Sequence, residues 1–234
     1  MTGTAYGMGV GPGDPELITL KAHRILRACP VVAYPAPDQG DSLTREIVAP
    51  HLLGEQTEIA IRIPMVSERF PAQAIYDQAA KDIGAHLDAG RDTAILCEGD
   101  PFLYGSFMYL FARLAERFPV EVIPGVSSLT ACAAALGAPL AARNDVLSVI
   151  PAPLDEADLE SRLAITDAAA IIKVGRHLDK VRSVLDRLDL GDRARYIEHA
   201  TMPNQRVIPF AQVDAAAAPY FSMILVHKRG EAWQ

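Results

Sequence analysis

Glu98 and Asp100 stand on either side of Gly99 in Cys97-Glu98-Gly99-Asp100-Pro101-Phe102-Leu103-Tyr104-Gly105-Ser106, directly after the apolar run Thr93–Cys97. Two acids, a glycine and a proline make a rigid turn with exposed backbone groups. The carboxyl end of a strand is where open α/β sheets bind ligands. The plain alternative is a helix capped by Asp100 and beginning near Pro101, but like charges held so close at a strand end normally cost stability. A second segment, Gly7-Met8-Gly9-Val10-Gly11-Pro12-Gly13-Asp14-Pro15, precedes a helical pattern. Its glycines permit positive φ and close approach of a ligand to the backbone, and Asp14-Pro15 reads as a helix N-cap. A third, Val122-Ile123-Pro124-Gly125-Val126-Ser127-Ser128-Leu129-Thr130-Ala131, brings two serines into the start of a small-residue helix that a flat ligand can approach.

The same segments exclude several chemistries. A dinucleotide fingerprint needs glycine at the sixth position from Gly7, which is Pro12, and no Gly-Lys-Ser/Thr follows to make a phosphate loop. Gly125-Val126-Ser127-Ser128-Leu129 is not a hydrolase elbow, which needs a glycine two residues after its serine.

Short apolar runs alternating with helical periodicity must position these segments. Val31–Tyr34, Ile59–Ile61, Thr93–Cys97 and Val120–Ile123 read as strands. Ile18, Ala22, Ile25, Leu26 and Cys29 form one helix face with Lys21, Arg24 and Arg27 opposite, and Ile75, Ala79, Ile83 and Leu87 form another that Gly90 stops. After Pro119 the rhythm changes: helix Ser127–Leu136 precedes strands at Val146–Ile150, Ala169–Val174, Ala194–Ile197, Gln205–Pro209 and Phe221–His227. Several of these lack helix-length connections, which predicts antiparallel pairing. The reading is two α/β domains, residues 1–118 and 119–234, the second with mixed strands.

Half of the 234 residues are apolar and 22% charged, enough to bury a core and too apolar for disorder. A net charge of −7 argues against a nucleic-acid partner, which needs a basic face. Cys29, Cys97 and Cys132 are odd in number and lack a CxxC spacing, and the six histidines form no HExxH, so neither a disulfide frame nor a metal site is expected. With no basic, apolar leader at the N-terminus and no span long enough for a bilayer, the reading is a cytoplasmic protein without a membrane partner.

Taken together, GVGPGDPELITLKA, CEGDPFLYGSFMYL, VIPGVSSLTACAAALGAPL and TMPNQR resemble the tetrapyrrole methylases, which take methyl groups from S-adenosylmethionine. Gly99–Leu110, Ile63-Pro64-Met65 and Ala200-Thr201-Met202-Pro203 resemble the branch that methylates C-20 of precorrin-2 in cobalamin synthesis. The resemblance implies a homodimer of two-domain subunits with folded S-adenosylmethionine in the cleft between domains and S-adenosylhomocysteine as product. Carried over residue by residue, the cofactor contacts are Pro12, Glu98, Gly99, Asp100, Leu103, Ser127, Ser128, Val174 and Ala200. Val174 stands where relatives often have methionine and Ala200 where some have glycine, and both offer backbone or apolar contact. The acid and lysine that uroporphyrinogen methylases carry after their second strand do not transfer, because Tyr34 is followed by Pro35 and Ile61-Arg62-Ile63-Pro64 holds no lysine.

The sulfonium already activates the methyl group, so the implied task is alignment with an electron-rich meso carbon. A proton must then leave that carbon, to Glu98, Asp14, Tyr104 or water. A substrate rich in carboxylates calls for guanidinium partners, for which Arg45, Arg62, Arg69 and Arg143 are the candidates at predicted loops and element ends. Two alternatives stay open: the same methylation on a cobalt-containing substrate, and a nucleotide-binding module without turnover.

Overall fold

A computed structural model describes residues 1–63 and 71–230. Pro64 and Met65, which enter the resemblance, and Arg69 lie outside the described residues. The chain divides into two compact units, Met1–Ser127 and Ser128–Gln234.

The first unit is built on five parallel strands: β1 (Ala5–Gly9), β2 (Val31–Pro37), β3 (Thr57–Ile63), β4 (Thr93–Cys97) and β5 (Val120–Ile123). They lie in the order β3-β2-β4-β1-β5. Helices α1 (Leu20–Ala28), α2 (Leu43–Val48), α3 (Pro71–Asp88) and α4 (Phe107–Leu114) make the connections. α1 and α2 cover one sheet face, packing Leu26 and Ile47 on Met8, Val32 and Leu96. α3 and α4 cover the other, packing Ile83 and Leu110 on Ala33, Ile95 and Cys97. Burial on both faces is why β4 reads as an unbroken apolar run.

The second unit holds α5 (Ser128–Leu136), β6 (Leu147–Pro151), α6 (Glu156–Ile165), β7 (Ala168–Ile172), α7 (Leu178–Arg187), β8 (Ala194–Glu198), β9 (Arg206–Pro209) and β10 (Ser222–His227). Its sheet runs β6-β7-β10-β8-β9, with β6 and β7 parallel and the remaining pairs antiparallel. α6 and α7 pack on one face through Leu159, Leu163, Val181 and Leu185. α5 packs on the other through Cys132. The mixed second sheet agrees with the sequence reading.

Two local features differ from what the sequence suggests, and a third refines it. The sequence reading places no strand over Ala5–Gly9, yet the segment is strand β1, paired with β4 along its length and with β5 through Met8. Asp14 does not cap α1: it accepts from the Glu16 amide and caps a 3-10 turn at Pro15–Leu17, and Thr19 caps α1 by accepting from the Ala22 amide. β5 follows residue 118 in sequence but is hydrogen-bonded to β1, so the first sheet is completed from beyond that point. No helix among the described residues is long and apolar enough to cross a membrane.

Candidate functional site

In the first unit all five strands are parallel, so their carboxyl ends share one edge. At that edge β1 sends its connection to the α1 face, and its neighbour β4 sends its own to the α4 face. Connections that diverge between adjacent strands open a crevice, the usual ligand position in such sheets.

Backbone contacts build its floor. The Val10 amide donates to the Cys97 carbonyl at 3.0 Å and the Gly99 amide to the Gly11 carbonyl at 2.9 Å, which locks the β1 and β4 loops together. The Gly99 carbonyl then presses against both Gly9 and Gly125. A Cβ on Gly9 would fall 2.6 Å from the Gly125 Cα, closer than real side chains approach. The sequence leaves these glycines open for a ligand; at Gly9 and Gly125 the space is taken by backbone. Gly7 serves packing as well, since the Phe107 ring occupies the place of its missing side chain.

The two acids have separate partners. Asp100 accepts from the Phe102 amide (2.9 Å) and from the Gly125 amide (3.1 Å), tying the β4 loop to the β5 loop. It caps a turn, and α4 begins only at Phe107. The Glu98 carboxylate, half-buried, accepts from the Thr44 hydroxyl of α2. Thr44 is fully buried. Sequence reasoning missed it, because one hydroxyl in an otherwise ordinary short helix carries no local signal. Pro12 and Gly99 are buried, Asp14 and Ser127 half-buried. Leu103 and Tyr104 are exposed beside Phe102, with Tyr104 held at φ 57°.

The second unit has a comparable edge. β7 and β8 both run antiparallel to β10, so their carboxyl ends coincide. Val174 lies there between Lys173 (φ 58°) and Gly175 (φ 32°), and Ala200 between His199 (φ 47°) and Thr201 (φ 68°). Among the described residues, four of the six non-glycine residues at positive φ thus follow β4, β7 or β8, and such strain gathers at functional sites. The Val174 side chain is in the core with α6 and α7, and its carbonyl accepts from the His177 amide at 2.7 Å. Ser128, exposed, opens α5.

The arginines are not equivalent. Arg45 is committed to Glu58 through Nε (3.1 Å) and Nη2 (3.0 Å), with the Tyr34 hydroxyl on the same carboxylate at 2.8 Å. The Arg45 hydrogen bond holds the Glu58 carboxyl below the usual range. Arg62, at the carboxyl end of β3, meets only the carbonyls of Pro37 and Asp38 among the described residues. Arg143 is exposed at φ 51° in the loop before β6, at the opposite edge of the second sheet from Val174 and Ala200. No group of three or more acidic, histidine or cysteine side chains suited to a metal occurs among the described residues.

The family model of the tetrapyrrole (corrin/porphyrin) methylases matches residues 4–214. The chain belongs to the tetrapyrrole methylases. This tetrapyrrole methylase is 42% identical to a precorrin-2 C(20)-methyltransferase of a Sinorhizobium species, over 96% of this chain and 95% of that one. It is 32% identical to the cobalt-precorrin-2 C(20)-methyltransferase of Salmonella typhimurium, over 99% of each chain. It is also 42% identical to the cobalamin biosynthesis protein CobIJ of Mycobacterium tuberculosis, where it spans 46% of the relative, about half its length. Among solved structures, a Thermus thermophilus uroporphyrin-III C-methyltransferase complexed with S-adenosylhomocysteine superposes with a TM-score of 0.70 at 25% identity, over 97% of this chain and 92% of that one. A cobalt precorrin-4 methyltransferase shares the fold, with a TM-score of 0.75 at 22% identity over 97% of this chain and 96% of that one.

Proposed function

We propose that this tetrapyrrole methylase transfers a methyl group from S-adenosylmethionine to C-20 of precorrin-2, releasing S-adenosylhomocysteine. The observation that carries the reading is end-to-end similarity to a precorrin-2 C(20)-methyltransferase, with the β1, β4 and β5 loops locked into one crest. When bound, the cofactor supplies a methyl group on a positively charged sulfur. The residues fit such a group. Pro12, Gly99 and Ser127 offer backbone at the crest, Leu103 offers an exposed apolar side chain, and Glu98, next to Gly99, carries a carboxylate for the proton that must leave the methylated carbon. Asp100 works through the loop it braces, because both of its oxygens hold amides. Ser128, Val174 and Ala200 are the proposed contacts in the second unit, Val174 by its backbone.

For the macrocycle, the exposed Phe102, Tyr104 and Met108 provide flat apolar surface next to the crest. Arg62 is the favoured carboxylate partner, and Arg143 and Arg69 remain proposed. Arg45 is the weakest of the four, since Glu58 already neutralises it. The protein is proposed to act as a homodimer in the cytoplasm without nucleic acid: the net charge of −7 supports the last point, and three buried free thiols suit a reducing compartment.

An anaerobic assay tests the reading. Protein and S-adenosylmethionine are offered precorrin-2 or its cobalt-containing counterpart, and products are followed by absorbance and mass. One added methyl on the metal-free substrate is the expected result. A methyl on the cobalt form alone moves the enzyme to the other substrate, and cofactor binding without turnover on either sinks the assignment.

A further inference from the structure

Methylation at a meso carbon is completed only when a proton leaves. The carbon's electron pair forms the carbon–methyl bond as the methyl–sulfur bond breaks onto sulfur. The methylated carbon then carries both hydrogen and methyl beside a cationic conjugated system. Loss of that hydrogen as a proton, its bonding pair staying with the macrocycle, restores conjugation. The step needs a positioned acceptor rather than a strong base.

Asp14, Glu98, Asp100 and Tyr104 are the candidate acceptors on the β1 and β4 loops that build the crest. Asp100 is spent on the Phe102 and Gly125 amides. Asp14 caps the 3-10 turn at Pro15–Leu17 through Oδ1. Tyr104 is a phenol and a weaker acceptor than a carboxylate. Glu98 differs from all three. One oxygen, Oε1, is held by the Thr44 hydroxyl, and Oε2 takes no hydrogen bond from any described residue. Thr44 is well placed to set the direction of that second oxygen. It is fully buried, β-branched and therefore stiff at χ1. The helix that carries it is pinned: Ser42 Oγ donates to the Pro35 carbonyl at 2.5 Å and accepts from the Arg45 amide at 3.2 Å. Ile47 and Val48 on the same helix are in the core.

We propose that Thr44 is a positioning residue that aims Glu98 Oε2, and that Glu98 accepts the proton released from the methylated carbon. The inference rests on the C-20 methyltransferase reading above and deepens it. Thr44 acts only through Glu98 and touches neither substrate.

The test compares wild type, Thr44→Val, Thr44→Ser and Glu98→Gln on precorrin-2 carrying hydrogen or deuterium at C-20, with thermal melts on each protein. Thr44→Val keeps the shape and removes the donor. It is expected to lower kcat by at least about tenfold with KM for S-adenosylmethionine unchanged. The deuterium effect on kcat grows, because proton loss becomes the slow step. Thr44→Ser restores the hydroxyl and recovers most of the rate, which separates aiming from packing, and Glu98→Gln shows the larger loss with the same isotope signature. An active wild type whose Thr44→Val variant keeps both kcat and isotope effect overturns the inference alone. So does a Thr44→Val variant that loses only affinity for S-adenosylmethionine, since Glu98 would then be a cofactor ligand. A wild type that transfers no methyl overturns the function reading and this inference together.

Discussion

The Cα atoms of Gly9 and Gly125 approach so closely that neither residue has room for a side chain. A Cβ on Gly125 would fall 2.7 Å from the Gly9 Cα, and the Gly99 carbonyl fills the remaining gap. The crest of the first unit is therefore a backbone junction of β1, β4 and β5. Either Gly9→Ala or Gly125→Ala is expected to destabilise the protein by at least about 1–3 kcal/mol, and to weaken S-adenosylmethionine binding. Gly84→Ala is the control. It sits within α3, where a Cβ would make ordinary contact at 3.4 Å with the Phe118 ring. Alanine there is expected to be neutral or to stabilise by up to about 1 kcal/mol through its better helix propensity. Urea titrations of the three variants check the contrast.

Asp100 is the brace across that junction. Asp100→Ala removes the acceptor for both the Phe102 and Gly125 amides. The first bond is exposed and the second part-buried, so each is expected to contribute about 0.5–1.5 kcal/mol. Asp100→Asn keeps one acceptor oxygen and is expected to fall between the alanine variant and wild type. Equilibrium dialysis with S-adenosylmethionine should rank the three proteins in the same order as their stabilities. A variant that unfolds easily yet binds normally would separate the brace from the cofactor contact.

Much of this arrangement is legible in the residues, and the exceptions have physical causes. Thr93–Cys97 is readable to the residue because it lies inside a sheet covered on both faces, and its side chains are buried without interruption. Val120–Ile123 is readable too, although Glu121 interrupts it; that acid stays half-exposed at the sheet edge, paired with Lys21 of α1. β1 is hidden because its sequence, Ala-Tyr-Gly-Met-Gly, carries glycine wherever Phe107 or a neighbouring backbone fills the space. Glycine then marks close packing rather than a turn, a distinction visible only in three dimensions. Glu98 and Asp100 stand out as a pair, but their separate engagements depend on Thr44 and Gly125, 54 and 25 residues away. Arg45 looks like Arg62 in sequence. The difference is Glu58, brought beside Arg45 by the pairing of β2 with β3.

That difference is testable. Arg62→Ala is expected to raise KM for the tetrapyrrole by roughly tenfold, the loss of one charge-assisted hydrogen-bonded contact, with cofactor affinity unchanged. Arg45→Ala should leave that KM near the wild-type value, because its guanidinium is already occupied by Glu58. Equal effects of the two substitutions would place the carboxylate-binding surface elsewhere.

The three thiols are buried. Desolvation raises Cys29 and Cys132 to about 12 and Cys97 to about 11. The thiolate is the reactive form, so such thiols are inert near neutrality. Native protein is expected to react negligibly with a thiol-specific chromogenic reagent at about pH 8, and three equivalents should appear on unfolding. Fast labelling of a native thiol would show that one of these cysteines opens to solvent.

Asp145 gives the second unit a dependence on acid. Its carboxylate accepts from His227 Nε2 at 3.0 Å, from the Ala142 amide at 2.7 Å and from Arg229 Nη2 at 2.8 Å, joining the loop before β6 to the end of β10. The His227 hydrogen bond, followed by that from Ala142, holds the carboxyl below the ordinary aspartate value of 3.8. A carboxyl depressed in the folded state binds a proton more readily when unfolded. Its stabilisation is therefore present above the unfolded value and is lost as pH falls through the folded one. Asp145→Asn is expected to melt below wild type at about pH 6, with the gap closing as pH approaches about 3. Among the described residues the Arg229 guanidinium and the His227 imidazole face the carboxylate, and Arg229→Gln should reproduce part of the deficit at the higher pH. A gap that stayed constant across the range would mean that Asp145 stabilises the loop by shape and not by charge.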